Sequence, residues 1–345
     1  MLTRRELLRR SAALAAIAAL PPFVATAPAA AGDLADGEME GEGELPRFRA
    51  YGNDSFFRSK VARAPIDADR TTAFRSFMRS HPDQKGTAYP VIRGVGGNTW
   101  GTAYAMGRSE DPVWKLTGSV PPEVSWLETT GFHAPEYLGS MLTGTSDSPL
   151  VVIDRASGQS IWAAKTKLAG SNLISVGAAG AFAHASNGLD QRNPRSNSES
   201  NFRSRGAIPD AMVIRKDLVD WGIDHNSDLG HVLHMFLVET KTADGFCHPM
   251  VGTESGNNGF GAEGERIALR ADLDLASRDL SPTGRVIAST LQNYGAYFGD
   301  NSGSTTALKA EQTSSTRDVW GSTLTVDTLR SLTWDDFVVI PKGWQ

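Results

Sequence analysis

The chain has 345 residues, of which 21% are charged, and a formal net charge of −5 at pH 7. Lysine and arginine are scattered along it, which argues against the clustered basic face of a nucleic-acid-binding protein. A single cysteine, Cys247, excludes an internal disulfide, so the core alone must stabilise the fold. The 35 glycines favour a fold with many tight turns.

Residues 1–31 form a predicted twin-arginine signal peptide. Arg4 and Arg5 precede a short apolar stretch at 12–20, and small-residue cleavage sites follow at 25–27 and 29–31. The stretch is too short to span a bilayer. We therefore expect a secreted or periplasmic protein that crosses the membrane already folded, with Sec export and an uncleaved anchor as the alternatives.

The mature chain is predicted to be a flexible acidic linker followed by one folded domain. Residues 32–45 are rich in Gly and Glu and poor in apolar residues, so they are expected to stay unfolded. No apolar run long enough to cross a bilayer follows, so no transmembrane segment is expected in the mature chain. Residues 46–345 contain no Pro/Ser-rich linker, which favours one β-sandwich-like domain.

Strand patterns with tight turns dominate the domain. Gly94, Gly96 and Gly97 indicate a loop between short strands, because no helix pattern follows as a phosphate loop would require. Asp154 is expected to close the turn of the clearest hairpin. The predicted elements, in chain order, are a helix at 67–80, the hairpin at 149–164, a short helical segment at 208–221, strands at 231–239 and 265–274, a helix at 282–294, an exposed turn at 297–303, a helix at 326–332 and a closing strand at 334–340. Asp67 or Asp69 is expected to cap the first helix and Ser281 the helix at 282–294.

The sequence thus predicts an all-β or β-dominated fold, a jelly-roll-like β-sandwich with a few peripheral helices. The strand at 231–239 is apolar on both faces, which is typical of a strand buried between two layers. His231 and His234 point to opposite faces of it and so cannot share one metal ion. We expect no metal and no cofactor, with a metal site of His225, His234 and His248 brought together by folding as the alternative.

The catalytic candidates are concentrated between Asp224 and Glu254, a stretch that holds four of the seven histidines and the only cysteine. Histidines and carboxylates are the usual general acids and bases. Buried structural roles remain the alternative for each of them. The candidates are Asp224, His225, His231, His248 and Glu254.

Two reactions on polysaccharides fit such residues. A glycosidase needs two carboxylates flanking the scissile bond. A lyase instead pairs a base, such as a histidine, Tyr294 or Tyr297, with a group that neutralises a uronate, such as an arginine. The sequence leaves the choice between hydrolase and lyase open.

Candidate substrate-binding residues lie outside that stretch. Trp100 and Trp126 fall in turn-rich segments and are candidates to stack on sugar rings, with loop anchoring as the alternative. Arg192 and Arg203 lie in a long Ser/Asn/Arg-rich loop, where they are candidates to bind an acidic substrate.

The chain also resembles a large group of secreted bacterial proteins that are mostly described as hypothetical. The resemblance rests on residues 53–57, 150–154, 222–225, 265–270, 280–287, 294–303 and 334–340. It implies an exported β-rich, jelly-roll-like domain and no particular activity. A histidine after an Ile-Asp pair and one in an aromatic-proline stretch match His225 and His248, and His231 is the alternative equivalent of the first.

Export, a β scaffold and grouped polar residues together predict a carbohydrate-active protein. A polysaccharide-degrading enzyme, as glycoside hydrolase or lyase, is the first hypothesis. A non-catalytic glycan-binding or cell-envelope protein is the second. In both cases the expected partner is a polysaccharide or another extracellular glycan.

Overall fold

Short strands and tight turns make up most of the structure. The computed structural model describes residue 51 and residues 55–184, 186, 188 and 212–344. The predicted signal peptide, the acidic linker, Arg192 and Arg203 lie outside the described residues. The described strands are β1 Val91–Arg93, β2 Ala103–Gly107, β3 Val113–Gly118, β4 Phe132–His133, β5 Leu150–Asp154, β6 Gln159–Ala164, β7 Lys167–Gly170, β8 Leu173–Val176, β9 Ala178–Ala183, β10 Leu233–Leu237, β11 Arg266–Leu269, β12 Ala296–Asn301, β13 Ala307–Lys309 and β14 Phe337–Ile340.

The strands form three mixed sheets. The largest has the order β1-β13-β10-β12-β11-β14, and the other two have the orders β2-β5-β6-β9 and β4-β3-β8-β7. Each sheet contains a parallel pair, for example β10 with β12 and β2 with β5. The fold is therefore β-dominated, as predicted. The jelly-roll arrangement is not confirmed, because jelly rolls are built from antiparallel Greek keys.

Four α-helices lie among the described residues: α1 Ala68–Ser80, α2 Trp126–Thr129, α3 Lys216–His225 and α4 Pro282–Asn293. The predictions of α1 and α4 are confirmed together with their caps. The side chain of Asp67 accepts the backbone N–H of Arg70, and that of Ser281 accepts the N–H of Gly284. None of the helices described is both long and apolar enough to cross a membrane.

Two helix predictions need correction. Residues 326–332 form turns instead of a helix, with three-residue hydrogen bonds such as Thr328 N–H to Thr325 O at 3.2 Å. A segment this short makes too few helical hydrogen bonds to offset the free energy cost of nucleating a helix. Burial of Leu329 holds the segment in its turn conformation instead. In the described part of the segment predicted at 208–221, the helix begins only at Lys216. It extends to His225 and so includes two of the catalytic candidates.

The predicted hairpin is confirmed. Strands β5 and β6 pair antiparallel, and the fully buried Asp154 closes their turn. Its carboxylate accepts the N–H of Ala156 at 2.9 Å and the hydroxyl of Ser157 at 2.8 Å. It also accepts the N–H of His133 at 3.1 Å, which ties β4 to the hairpin. Asp154 thus has a structural role, as the sequence indicated.

Strand β10 lies inside the largest sheet and is buried along its whole length. Because β10 and β12 are parallel, their carboxyl ends meet at one edge of that sheet. The antiparallel neighbour β13 ends at the opposite edge. Polar residues follow the strand ends at both edges. The two edges carry the two sites described below.

Candidate functional site: a carboxylate pair at a sheet edge

The predicted catalytic residues fall at both ends of β10. Asp224 and His225 are exposed on the last turn of α3, and residues 226–232 connect that helix to the amino end of β10. The His225 ring stacks on Trp221 at 4.7 Å between centroids, and its Nδ1 lies 3.0 Å from the Trp221 carbonyl oxygen. These contacts fix the ring against its own helix.

The other two histidine candidates are packed against the interior. His231 is buried, and its Nδ1 lies 2.8 Å from the carbonyl oxygen of Val232. The ring of His248 meets the ring of Phe56 edge-to-face at 5.6 Å. Burial lowers the pKa of His248, which favours the neutral imidazole.

Glu254 lies at the other end of the strand. Five residues of strand rise by about 16 Å, so β10 separates Glu254 from Asp224 and His225. The structure therefore does not bring all five catalytic candidates together. Glu254 instead meets Asp300 and Asn301, which end β12 and were not among the predicted site residues.

Asn301 organises what we call the carboxylate site, comprising Glu239, Glu254, Asp300 and Asn301. Its Oδ1 accepts the N–H of Thr240 at 2.5 Å, and its Nδ2 donates to Glu254 Oε2. The amide thereby joins the end of β12 to the residues after β10 and to the loop that carries Glu254. The backbone N–H of Asn301 donates to Asp300 Oδ1 at 3.0 Å.

Glu254 is half-buried, and its environment favours the protonated carboxyl group. Burial, together with a side-chain hydrogen bond to Asp300 and the negative charge of Asp300, raises the pKa of Glu254 to about 7. The hydrogen bond from Asn301 opposes this effect. Two carboxyl groups in contact cannot both ionise easily, so the pair holds one proton near neutral pH.

Glu239 is the second partly exposed carboxylate at this edge, directly before Thr240. Its Oε2 lies 3.2 Å from His81 Nε2, and its Oε1 accepts the N–H of Asn258 at 2.9 Å. These contacts orient the carboxylate and leave part of it open to solvent. Glu239 precedes Thr240, whose N–H donates to Asn301, and Glu254 accepts a hydrogen bond from the same Asn301 amide.

Partly buried ion pairs and one buried carboxylate hold the loop over this edge. Arg70 on α1 bonds to Glu265 through two nitrogens and to Asp244 at 3.1 Å. The fully buried Glu263 accepts the backbone N–H of Glu254 at 2.9 Å. Each buried charge has a hydrogen-bonded partner, which is what makes its burial tolerable. The framework fixes the backbone around Glu254 before any ligand binds.

A cleft of about 530 Å³ lies at the opposite edge of the sheet, beside the first turn of α3. Glu311, which follows β13, is buried there, and burial raises its pKa. Glu311 Oε2 accepts the N–H of Lys216 at 3.2 Å, so this carboxylate caps α3. The cleft is lined by Tyr104, Ala105, Met106, Arg108, Glu110, Asp111, Pro135, Tyr137, Lys216, Asp217, Asp220, Glu311 and Arg317.

The predicted tryptophans lie elsewhere. Trp100 is 39% exposed just before β2, and Trp126 packs at the start of α2 against the core cluster under the smaller sheets. Neither lines the cleft. Within the described ranges, no group of three or more His, Cys, Asp or Glu side chains has the arrangement of a metal site.

Comparison with protein-family models, with curated proteins and with solved structures finds no match to this chain.

Proposed function

We propose that the protein is an exported carbohydrate-active enzyme that hydrolyses a glycan at the carboxylate site. The observation that carries the proposal is Glu254, a half-buried carboxyl group that keeps a proton near neutral pH and is bonded to Asp300 and Asn301. A glycosidase needs such a group as general acid. The predicted signal peptide and the β-dominated scaffold of the chain are consistent with work on an extracellular polymer.

In the proposed reaction Glu254 gives its proton to the glycosidic oxygen while the bond from that oxygen to the anomeric carbon breaks. A water molecule supplies hydroxide to the anomeric carbon, and the proton that this water loses passes to Glu239. The products together are heavier than the substrate by one water. Glu239 then releases the proton it accepted to solvent, and Glu254 recovers one from solvent, since its pKa is near 7.

Asp300 is a positioning residue in this scheme. Paired carboxyl groups of glycosidases are about 5–5.5 Å apart in retaining enzymes and about 6.5–9.5 Å in inverting ones. Asp300 is hydrogen-bonded to Glu254, which is too close to leave room for the scissile bond between them. Its contribution is to hold the proton on Glu254. Glu239, the other partly exposed carboxylate at this edge, is the better candidate for the base.

Hydrolysis is better supported than elimination. One form of the lyase hypothesis uses Tyr294 or Tyr297 as the base together with an arginine, and Arg266 does lie over the Tyr297 ring at 4.9 Å. All three side chains are buried, and Arg266 is bonded to the Tyr294 carbonyl and to Ser59. A substrate has no access to this cluster, which instead fixes the chain around Ser59 to β11.

Glycan binding without turnover is the second candidate function. The cleft at the opposite edge favours it, because two tyrosines and many charged groups line a concave surface. Sugar-binding sites commonly combine aromatic rings with several hydrogen-bonding groups.

The test is incubation of the mature protein with a panel of polysaccharides, followed by mass spectrometry of the soluble products. Glu254→Gln and Glu239→Gln should each lower the rate at least about a hundredfold, as expected for loss of a general acid or base. Glu128→Gln, which replaces an exposed carboxylate on α2, is the matched control and should keep full activity. Full activity in folded Glu254→Gln would remove the site assignment, and unsaturated products would replace hydrolysis by elimination.

A further inference from the structure

Most charged side chains that line the cleft beside α3 are paired with a side chain of opposite charge. Nitrogen-to-oxygen distances are 3.7 Å from Arg108 to Glu110, 2.5 Å from Lys216 to Asp220, and 3.2 Å from Arg317 to Glu311. Each pair places a donor and an acceptor on the cleft wall. Such a wall suits a ligand with many hydroxyl groups, because hydroxyls both donate and accept hydrogen bonds.

The floor of the cleft is also neutralised. The buried Arg215 binds Asp217 through two nitrogens, at 3.0 and 2.5 Å. Its guanidinium lies 5.1 Å from the centroid of the Tyr104 ring. This contact fixes Asp217 at the start of α3, so that neither the arginine nor its partner is a free charge for a ligand.

The carboxylate of Asp111 is the exception among the charged groups of the cleft. Asp111 Oδ2 accepts the backbone N–H of Arg108 at 2.8 Å, but among the described residues no cationic side chain lies within ion-pair distance of it. The carboxylate is partly exposed at the cleft. The cleft as a whole therefore carries a net negative charge centred near Asp111.

Tyr137 lines the cleft together with this carboxylate. Burial raises the pKa of its hydroxyl, and the negative charges of Glu311 and Asp111 add to this, whereas the charge and hydrogen bond of Arg317 oppose it. The guanidinium of Arg317 lies over the ring at 4.5 Å and holds it in the cleft wall. Tyr137 thus offers a neutral hydroxyl beside a carboxylate, which is a suitable pair of groups for an ammonium and a neighbouring sugar hydroxyl.

From this geometry we infer that the cleft is a second ligand site, which binds an amino sugar with its ammonium group on Asp111 and its hydroxyls on the surrounding ion pairs. The choice of a sugar as the ligand rests on the proposed glycan function. The preference for a cationic ligand does not rest on that function, since it follows from the net negative charge of the cleft. Uronic acid polymers are disfavoured here because they would bring further negative charge to Asp111.

The first experiment is isothermal titration of the full mature protein with three trisaccharides: the β-1,4 trimer of glucosamine, its fully N-acetylated form and a galacturonate trimer. The glucosamine trimer should bind at least about fivefold more tightly than the acetylated one, the range expected for one charged hydrogen bond in a partly exposed cleft. Its affinity should fall as the salt concentration rises. The galacturonate trimer should not bind.

Variants then locate the site. Asp111→Asn keeps an acceptor for the Arg108 N–H and removes the charge, so it should reduce binding of the glucosamine trimer to the level of the acetylated trimer. Asp279→Asn, which neutralises an exposed carboxylate before α4, is the matched control and should bind as the wild type does. Thermal melting of both variants checks that they are folded.

The outcomes separate this inference from the proposed activity. Glu254→Gln should lose turnover and keep binding of the glucosamine trimer, because β10 lies between the two sites. Equal affinity for the amine and acetylated trimers, no binding of the glucosamine trimer, or unchanged affinity in Asp111→Asn would each overturn the inference. None of these results depends on whether the protein hydrolyses any glycan.

Discussion

Replacing Glu254 with Gln should change how the stability of the protein depends on pH. The environment of Glu254, through burial and the contact with Asp300, raises its pKa from an ordinary value of 4.5 to about 7. Between these values the folded state binds more protons than the unfolded state. The stabilisation from protonated Glu254 is therefore fully present below pH 4.5 and is lost as the pH rises through about 7.

The magnitude follows from the size of the shift. A shift of about 2.5 pH units corresponds to about 3 kcal/mol at full value. Because Glu254 is only half-buried, solvent screening reduces the expected effect to about 1–2 kcal/mol. Glutamine resembles the protonated carboxyl group and does not titrate. As the pH rises from 4 to 8, the free energy of unfolding of the wild type should therefore fall by about 1–2 kcal/mol relative to that of Glu254→Gln.

The assay is urea unfolding followed by tryptophan fluorescence at pH 4, 6 and 8. For a domain of about 300 residues this difference is equivalent to about 2–3 °C in the melting temperature. All other titrating groups are common to both proteins, so the difference between their curves isolates Glu254. Glu128→Gln serves as control and should run parallel to the wild type. Parallel curves for Glu254→Gln as well would refute the argument that Asp300 and burial hold a proton on Glu254.

Three further predictions concern the fold. Asp154→Ala should lower the free energy of unfolding in urea by about 2–4 kcal/mol, because it leaves the N–H groups of His133 and Ala156 without their acceptor. Ser157→Ala should lower it by under about 1 kcal/mol. Gly295→Ala should cost more than about 2 kcal/mol, since φ is +67° and a Cβ would lie 2.2 Å from the Ile267 carbonyl oxygen. Gly303→Ala shares a positive φ but meets no atom within 4 Å, so equal melting temperatures for the two variants would contradict the steric part of this argument. Phe74→Ala should lower the free energy of unfolding by about 3–5 kcal/mol, because its ring is buried in the core. Phe246→Ala should lower it by under about 0.5 kcal/mol, because Phe246 is 52% exposed. Similar losses in the two variants would contradict the assignment of Phe74 to the core.

Local patterns predicted the local structure well. Ser281 identified the start of α4, and Asp67, one of two predicted caps, lies at the start of α1. The alternation around β10 identified a strand buried on both faces. The failures came where local pattern and tertiary packing disagree. Residues 326–332 have a helical apolar spacing, but burial of Leu329 holds them as turns.

The candidate site was predictable only in part. Glu254 was recognised because it belongs to a polar, histidine-rich stretch. Asp300 and Asn301 were assigned to an exposed turn, since their meeting with Glu254 depends on the parallel pairing of β10 with β12. That pairing joins residues far apart in the chain, and no local pattern specifies it. For the same reason the sequence placed His225 near Glu254, whereas β10 separates them.

The decisive measurement compares the wild type with Glu254→Gln on a polysaccharide panel, with the soluble products analysed by mass spectrometry. We expect products heavier by one water from the wild type and at least about a hundredfold slower release from the variant. Hydrolysis at the carboxylate site is contradicted if the wild type releases no product from any polymer of the panel, or if folded Glu254→Gln releases the same products at the wild-type rate.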